Sequence, residues 1–76
     1  MNDLIRYCLK DKFGLLFPTT LSTSQLGCWE NGGFEIVVQA EGDNWGRKYW
    51  KREKASIASA KRLGWKFQRV KIVEVE

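Results

Sequence analysis

The sequence contains no histidine, one proline and two cysteines among its 76 residues. Without histidine the chain lacks the commonest general base, and two cysteines alone do not make a usual zinc site. No stretch approaches the roughly 18 apolar residues that a membrane-spanning helix requires, and no P-loop or GxGxxG motif occurs. We therefore expect a protein that catalyses no reaction, holds no cofactor or metal and has no membrane as its partner.

The first ten residues, MNDLIRYCLK, become polar too early for a secretory signal peptide. A cytoplasmic location is therefore expected, with Cys8 and Cys28 as free thiols that pack as small apolar groups. The composition is 43% hydrophobic and 29% charged, which is typical of a small globular protein. Residues 1–76 are expected to form a single domain.

Positive charge is scarce early in the chain and abundant late in it. Residues 1–46 contain three basic and six acidic residues, a balance of −3, whereas residues 47–76 contain ten basic and three acidic residues, a balance of +7. A split of this size indicates that one face meets a polyanionic or acidic partner. The alternative is a basic surface that is only solvated.

Apolar periodicity predicts an α+β domain with an antiparallel sheet of three to five strands and one main helix packed across it. Strands are predicted for GLLFPTTL, FEIVVQAE, GRKYWKR and RVKIVEVE, a helix for EKASIASAKRLGWK, and turns for ENGG and EGDNWG. Residues 4–9, LIRYCL, fit either a strand or a capped helix, and the strand is favoured. Pro18 lacks an amide donor, so its strand is expected to lie at an edge or to end there.

The core is expected to form between the central strand and the helix. Phe34, Ile36 and Val38 alternate with polar residues and are predicted to face inward. On the helix, Ile57 and Leu63 are predicted to cover them.

Another face of the predicted helix combines cations with small residues. At 100° per residue, Lys54, Lys61 and Trp65 fall in one sector. Ala58 has a short side chain, so the helix surface in this sector does not project far. Arg62 lies beside the sector. Lysine supplies a point charge to a phosphate or carboxylate, and arginine supplies a planar fork. With the segment before the helix, the predicted binding surface comprises nine residues: Trp45, Arg47, Lys48, Lys51, Arg52, Lys54, Lys61, Arg62 and Trp65.

Tryptophan on such a surface can stack on a base or fill a pocket of a partner. Three of the four tryptophans lie within residues 45–66. Trp45, in a predicted turn, is the best candidate for an exposed indole. Core packing is favoured for Trp50, whereas for Trp65 the sequence favours core and surface equally.

The helix resembles that of a family of small phage-encoded inhibitors, the basic anti-CRISPR proteins that block type I surveillance complexes. In that family a sheet carries one helix that opens S-[LI]-x-x-A-K-R and is followed by a strand. The matching residues here are Ser56, Ile57, Ala60, Lys61 and Arg62, followed by VKIVEV. The resemblance implies binding without catalysis, in the cytoplasm of a host cell, by a cationic face that engages a nucleic-acid channel or an acidic patch of the complex.

The run from GFEIVVQAEG to AKRL is also similar to the second half of a double-stranded-RNA-binding domain. In that family two strands lead into a helix whose basic N-terminus lies on phosphates across the major groove. The resemblance implies this role for Lys51, Arg52 and Lys54.

We therefore expect a non-enzymatic inhibitor of a host defence complex, whose partner is a host protein or a protein–nucleic acid complex. The alternative is a domain that binds double-stranded RNA or DNA directly. A third possibility is an assembly subunit that forms a homodimer through an edge strand, for which VKIVEV is the candidate.

Overall fold

The computed structural model describes residues 4–73, which form an α+β fold with a three-stranded antiparallel sheet. The elements in chain order are β1 (Leu4–Lys10), β2 (Leu16–Ser22), α1 (Gln25–Cys28), a π-type segment (Trp29–Gly33), α2 (Phe34–Glu41), α3 (Asp43–Tyr49), α4 (Glu53–Arg62) and β3 (Lys66–Ile72). The predicted fold class is therefore confirmed, and the three strands lie at the lower end of the predicted range of three to five.

The sheet has the order β2-β1-β3, with both pairs antiparallel. The β1–β3 ladder is regular and runs from Leu4 opposite Ile72 to Lys10 opposite Lys66. Residues 4–9 are thus part of a strand, as favoured, and Pro18 lies in an edge strand, as predicted. The last predicted strand begins earlier than expected, and residues 74–76 of it lie outside the described residues.

Strand β2 is interrupted where it passes Cys8. The register jumps from Leu9 opposite Phe17 to Tyr7 opposite Ser22. Thr20 fills the gap, because its Oγ1 accepts the Leu9 N–H at 2.9 Å and donates to the Phe17 carbonyl at 2.7 Å. The fully buried hydroxyl thus replaces the missing ladder partners.

The prediction of a strand at FEIVVQAE was wrong, because this segment forms helix α2. Its apolar residues also fit helical spacing, with Phe34, Val37 and Val38 at i, i+3 and i+4, and Val37 is fully buried. The preceding NGG does not form a hairpin. Gly32, at φ 106°, instead kinks the chain within the π-type segment, just before α2.

The prediction of a strand at GRKYWKR was also wrong, since residues 43–49 form helix α3. Gly42, at φ 102°, separates α2 from α3. A Cβ on Gly46 would lie 2.8 Å from a methyl carbon of Val38, so α3 approaches α2 more closely than any other residue would allow. Two helices therefore replace the central strand pair that the alternating pattern predicted.

Helix α4 is confirmed over Glu53–Arg62, and Gly64, at φ 105°, follows its end. However, Leu63 is 40% exposed and does not cover the core as predicted. The buried residues of the helix are Ser56, Ser59 and Ala60, while Ile57 is half-buried. Two serines point inward because each accepts a hydrogen bond from a tryptophan.

Three tryptophans, which we call the tryptophan core, lie inside the molecule: Trp29, Trp45 and Trp65. The indole N–H of Trp29 donates to Ser56 Oγ, that of Trp45 to Ser59 Oγ and that of Trp65 to Glu41 Oε1, each at 3.0 Å. Trp29 and Trp65 pack with Leu9, Val37 and Ala60 in the buried centre. Trp29 and Trp65 are buried and Trp45 is half-buried, and each has its single donor satisfied, as a stable core requires.

The two cysteines are buried free thiols, as expected. Burial raises the pKa of Cys28, and the neighbouring Cys8 adds to this effect. The Cys8 thiol donates to the Phe17 carbonyl at 3.2 Å. Both therefore act as packing residues rather than as exposed nucleophiles.

Candidate functional site

All seven cations of the predicted binding surface are exposed, and we call this set the basic face. They lie on three consecutive parts of the chain, α3, the turn after it and α4: Arg47, Lys48, Lys51, Arg52, Lys54, Lys61 and Arg62. Within residues 4–73, the one salt bridge joins Lys12 to Glu41, outside this set. No carboxylate of the described chain therefore neutralises the basic face by an ion pair.

Of the two tryptophans predicted for the surface, Trp65 does not belong to it and Trp45 is only partly exposed. Trp65 is only 3% exposed, because α4 ends before it and Gly64 turns the chain back into the core. The sector that included Trp65 assumed a helix that continued to that residue. Trp45 is half-buried and packs against Tyr49, with ring centroids 5.0 Å apart and ring planes tilted by 50°.

Trp50 is the exposed tryptophan, in contrast to the core packing that the sequence favoured. It is 65% exposed, and its ring contacts Phe34 with centroids 6.3 Å apart. Helix α3 ends at Tyr49, so the next residue does not continue the buried stripe of Trp45 and Tyr49. The signal in the sequence was the adjacency of Tyr49 and Trp50, since neighbours on a helix cannot share one inward face.

A tight turn presents Trp50 and Lys51 between α3 and α4. Trp50 has φ −54° and ψ 126°, Lys51 has φ 66°, and the Arg52 N–H donates to the Tyr49 carbonyl at 2.9 Å. These values define a type II turn, in which glycine is the usual residue at the third position. Lys51 is the one non-glycine residue with positive φ in the described chain, so its backbone is strained.

Trp50 forms one wall of a cleft of about 280 Å³. Aromatic rings, carboxylates and cations surround it: Trp29, Phe34, Tyr49 and Trp50 among the rings, Glu30, Glu35 and Glu53 among the acids, and Lys51 and Arg52 among the cations. On its other side, Trp50 and Arg47 line a wider depression of about 630 Å³. The exposed indole therefore stands between two concave surfaces.

The cations of α3 and α4 meet at the hydroxyl of Tyr49. A hydrogen bond with Ser59 lowers the pKa of the Tyr49 phenol, and the charges of Lys48 and Arg62 lower it further. The Lys48 Nζ lies 5.6 Å from the centre of the Tyr49 ring. Lys48 of α3 and Arg62 of α4 therefore both lie close enough to the Tyr49 phenol to favour its ionised form.

Lys61 lies toward the sheet end of the basic face. Its Nζ donates to Gln25 Oε1 at 3.1 Å and lies 5.5 Å from the centre of the Phe67 ring. Both contacts are with uncharged groups, so the positive charge of Lys61 is held in place without being neutralised.

Two further features bear on the kind of chemistry available. Among residues 4–73, no group of three Cys, Asp or Glu side chains is arranged to hold a metal ion. No helix in the same range is long and apolar enough to cross a bilayer.

Comparison with protein-family models, with curated proteins and with solved structures finds no match to this chain.

Proposed function

We propose that this protein is a non-enzymatic, phage-encoded inhibitor of a host defence complex, and that it binds a protein–nucleic acid complex in the host cytoplasm through its basic face. The observation that carries the proposal is the set of seven exposed cations without an acidic partner in the described chain. A surface of this kind attracts a polyanion, here the nucleic acid or an acidic patch of the complex.

The arrangement of the last two elements adds support. Helix α4 carries Ser56, Ile57, Ala60, Lys61 and Arg62, and strand β3 follows it. This is the order implied by the resemblance to anti-CRISPR proteins of type I surveillance complexes. Lys54 and Lys61 are both exposed on α4, while Ser56 and Ala60 face inward, so the cations are presented away from the core.

Direct binding of nucleic acid is the second candidate, and the position of Trp50 favours it. The exposed indole lies next to Lys51 and Arg52, and proteins that bind nucleic acid combine stacking rings with backbone-neutralising cations in this way. For a B-DNA binder, the logarithm of the affinity falls with the logarithm of salt by about 0.9 for each phosphate neutralised.

Self-association through the sheet edge is a third proposal. Among the strands within residues 4–73, β3 pairs with β1 and lies at the edge of the sheet, although part of VKIVEV lies outside the described residues. Exposed Lys66 and Arg69 on this strand oppose pairing with a second copy, because like charges would meet at the edge.

The inhibitor proposal is tested with a purified type I surveillance complex and labelled target DNA at fixed salt. The wild-type protein should reduce DNA binding by the complex, and Lys54→Glu with Lys61→Glu should weaken inhibition more than tenfold, since charge reversal adds repulsion to lost attraction. Folding should survive, because a negative charge near the start of a helix is favourable and offsets the unfavourable one near its end.

The matched control is Lys66→Glu with Arg69→Glu, which changes the net charge equally on exposed positions of β3. It should inhibit as the wild type does. If the control loses inhibition and the α4 variant keeps it, the interface lies on the sheet. If the wild-type protein leaves DNA binding unchanged, the inhibitor proposal is wrong. Capture from host lysate with and without nuclease then separates a protein target from bare nucleic acid.

A further inference from the structure

The cleft beside Trp50 is walled by aromatic rings that are already fixed by other contacts. The Trp29 indole donates to Ser56 Oγ at 3.0 Å, so its only donor is used inside the protein. Phe34 packs against Trp29 with centroids 5.8 Å apart and against Trp50 at 6.3 Å. The rings are therefore held in place before a ligand arrives, which lowers the entropic cost of binding.

Trp50 itself retains unused binding capacity. Its indole N–H makes no hydrogen bond within the described chain, unlike those of the tryptophan core, and its side chain is 65% exposed. Stacking of a planar ring on an exposed aromatic side chain is worth about 1–3 kcal/mol for each nucleobase. The volume of about 280 Å³ lies just below the range of pockets for drug-sized molecules, which suits a single base.

The cations beside the cleft lie in the turn after α3 and in the first turn of α4. A shallow depression next to it shares Lys51, Arg52 and Glu53 with the cleft and adds Lys54. Three exposed cations within four residues of chain can hold a phosphate beside the aromatic walls.

Glu30 of the π-type segment and Glu35 of α2 also line the cleft. These carboxylates repel phosphate, so the sugar–phosphate backbone is favoured next to Lys51, Arg52 and Lys54 rather than next to these two acids. They also accept hydrogen bonds from exocyclic amino groups, as acidic side chains do from cytosine. The division of charge therefore favours a base inside the cleft and its phosphate outside.

We propose that this cleft binds one unstacked nucleotide of a single strand, with the base against Trp50 and a phosphate on Lys51, Arg52 and Lys54. The inference rests on the proposed function, in which the basic face meets a polyanion, and it specifies what that polyanion offers. A base within a duplex is stacked on both sides and cannot enter the cleft, so a single strand is bound in preference to a duplex.

The test uses a ten-nucleotide single-stranded DNA of mixed sequence and the same sequence as a blunt duplex. In two-dimensional ¹H–¹⁵N spectra, the single strand should shift the indole resonance of Trp50 and the amides of residues 51–54. The indole resonances of Trp45 and Trp65, which do not line the cleft, should stay in place. Shifts at Trp45 or Trp65 without one at Trp50 would overturn the proposal.

Affinity measurements by fluorescence anisotropy complete the test. Trp50→Ala should weaken single-strand binding at least fivefold, the lower end of the loss for one stacked base, whereas Trp50→Phe should retain most of it. The control is Phe13→Ala, which removes an 86% exposed ring from the β1–β2 turn and should leave the affinity unchanged. Equal affinity of the wild type for single strand and duplex, or an unaffected Trp50→Ala, would refute the nucleotide site.

The two proposals fail differently in these experiments. One outcome is that Lys54→Glu with Lys61→Glu abolishes inhibition of the surveillance complex while Trp50→Ala binds the single strand normally. This outcome supports the binding role of the basic face and refutes the nucleotide site. If Trp50→Ala loses the single strand while the charge-reversed variant inhibits normally, the nucleotide site is supported and the proposal that inhibition depends on the basic face is wrong.

Discussion

Tryptophan has opposite environments in the tryptophan core and in the turn Tyr49–Arg52. In the core, each indole is packed among other rings and donates its N–H to Ser56, Ser59 or Glu41. In the turn, Trp50 is largely exposed, its indole N–H makes no hydrogen bond within the described chain, and the next residue has a strained backbone. The core arrangement stabilises the fold, whereas exposure and strain in the turn do not. The difference supports our proposal that the turn serves to bind a partner.

The largest expected effect is the difference in stability between a tryptophan truncated in the core and one truncated in the turn. Trp65→Ala should lower the free energy of unfolding by roughly 3–5 kcal/mol, because it leaves a cavity beside Phe17 and removes the indole from Glu41. Trp50→Ala should change it by less than about 0.5 kcal/mol, as surface substitutions do. Urea denaturation followed by circular dichroism measures both values. Equal losses would show that Trp50 is also part of the core.

A smaller effect should follow from Ser56→Ala. The substitution leaves the buried indole N–H of Trp29 without an acceptor, which costs about 1–3 kcal/mol. The comparison variant is Ala58→Ser on the exposed side of α4, which reports the intrinsic helix preference of the two residues. If Ser56→Ala is as stable as the wild type, the hydrogen bond to Trp29 contributes nothing to the fold.

The acid sensitivity of the fold should depend on Glu41. The hydrogen bond from the Trp65 indole lowers the pKa of this carboxyl, and Lys12 at 3.1 Å lowers it further. Its charged form therefore stabilises the protein above the unfolded pKa of about 4.3, and this contribution is lost as the pH falls through the lower folded pKa.

Glu41→Gln keeps an acceptor for Trp65 but removes the charge, so it should flatten the loss of thermal stability below pH 4.3. The control is Glu30→Gln, whose carboxylate is exposed and has no ion pair or hydrogen bond within residues 4–73. Thermal melts between pH 3 and pH 6 measure the effect. An identical acid slope for the wild type and Glu41→Gln would exclude this carboxyl as its source.

Sequence patterns predicted the elements whose signals were local. Strand β1, the edge position of Pro18 and helix α4 with its stop at Gly64 follow from alternation, a missing amide donor and helix-forming residues. The exposed cations of α4 were predicted for the same reason, since helical phase alone separates Lys54 and Lys61 from the buried Ala60.

Elements that depend on tertiary contacts were predicted less well. The segment Phe34–Glu41 alternates as a strand does, but packing of Val37 in the core and the close approach of Gly46 to Val38 favour the helix. Inward-facing Ser56 and Ser59 could not be inferred either, because their tryptophan partners lie 27 and 14 residues away. Trp50 was predicted to be buried because α3 was not foreseen. Trp65 was included in the binding surface because α4 was assumed to continue to that residue.

The central claim, that the turn is maintained for a partner at a cost in stability, is tested most directly by Lys51→Gly. Glycine adopts the positive φ of this position without strain, so the free energy of unfolding should rise by up to about 1 kcal/mol. The same variant loses one phosphate-binding cation, and its affinity for the ten-nucleotide single strand should fall severalfold. A protein that becomes more stable while it binds more weakly supports the account. A variant that is more stable and binds as tightly as the wild type would contradict it.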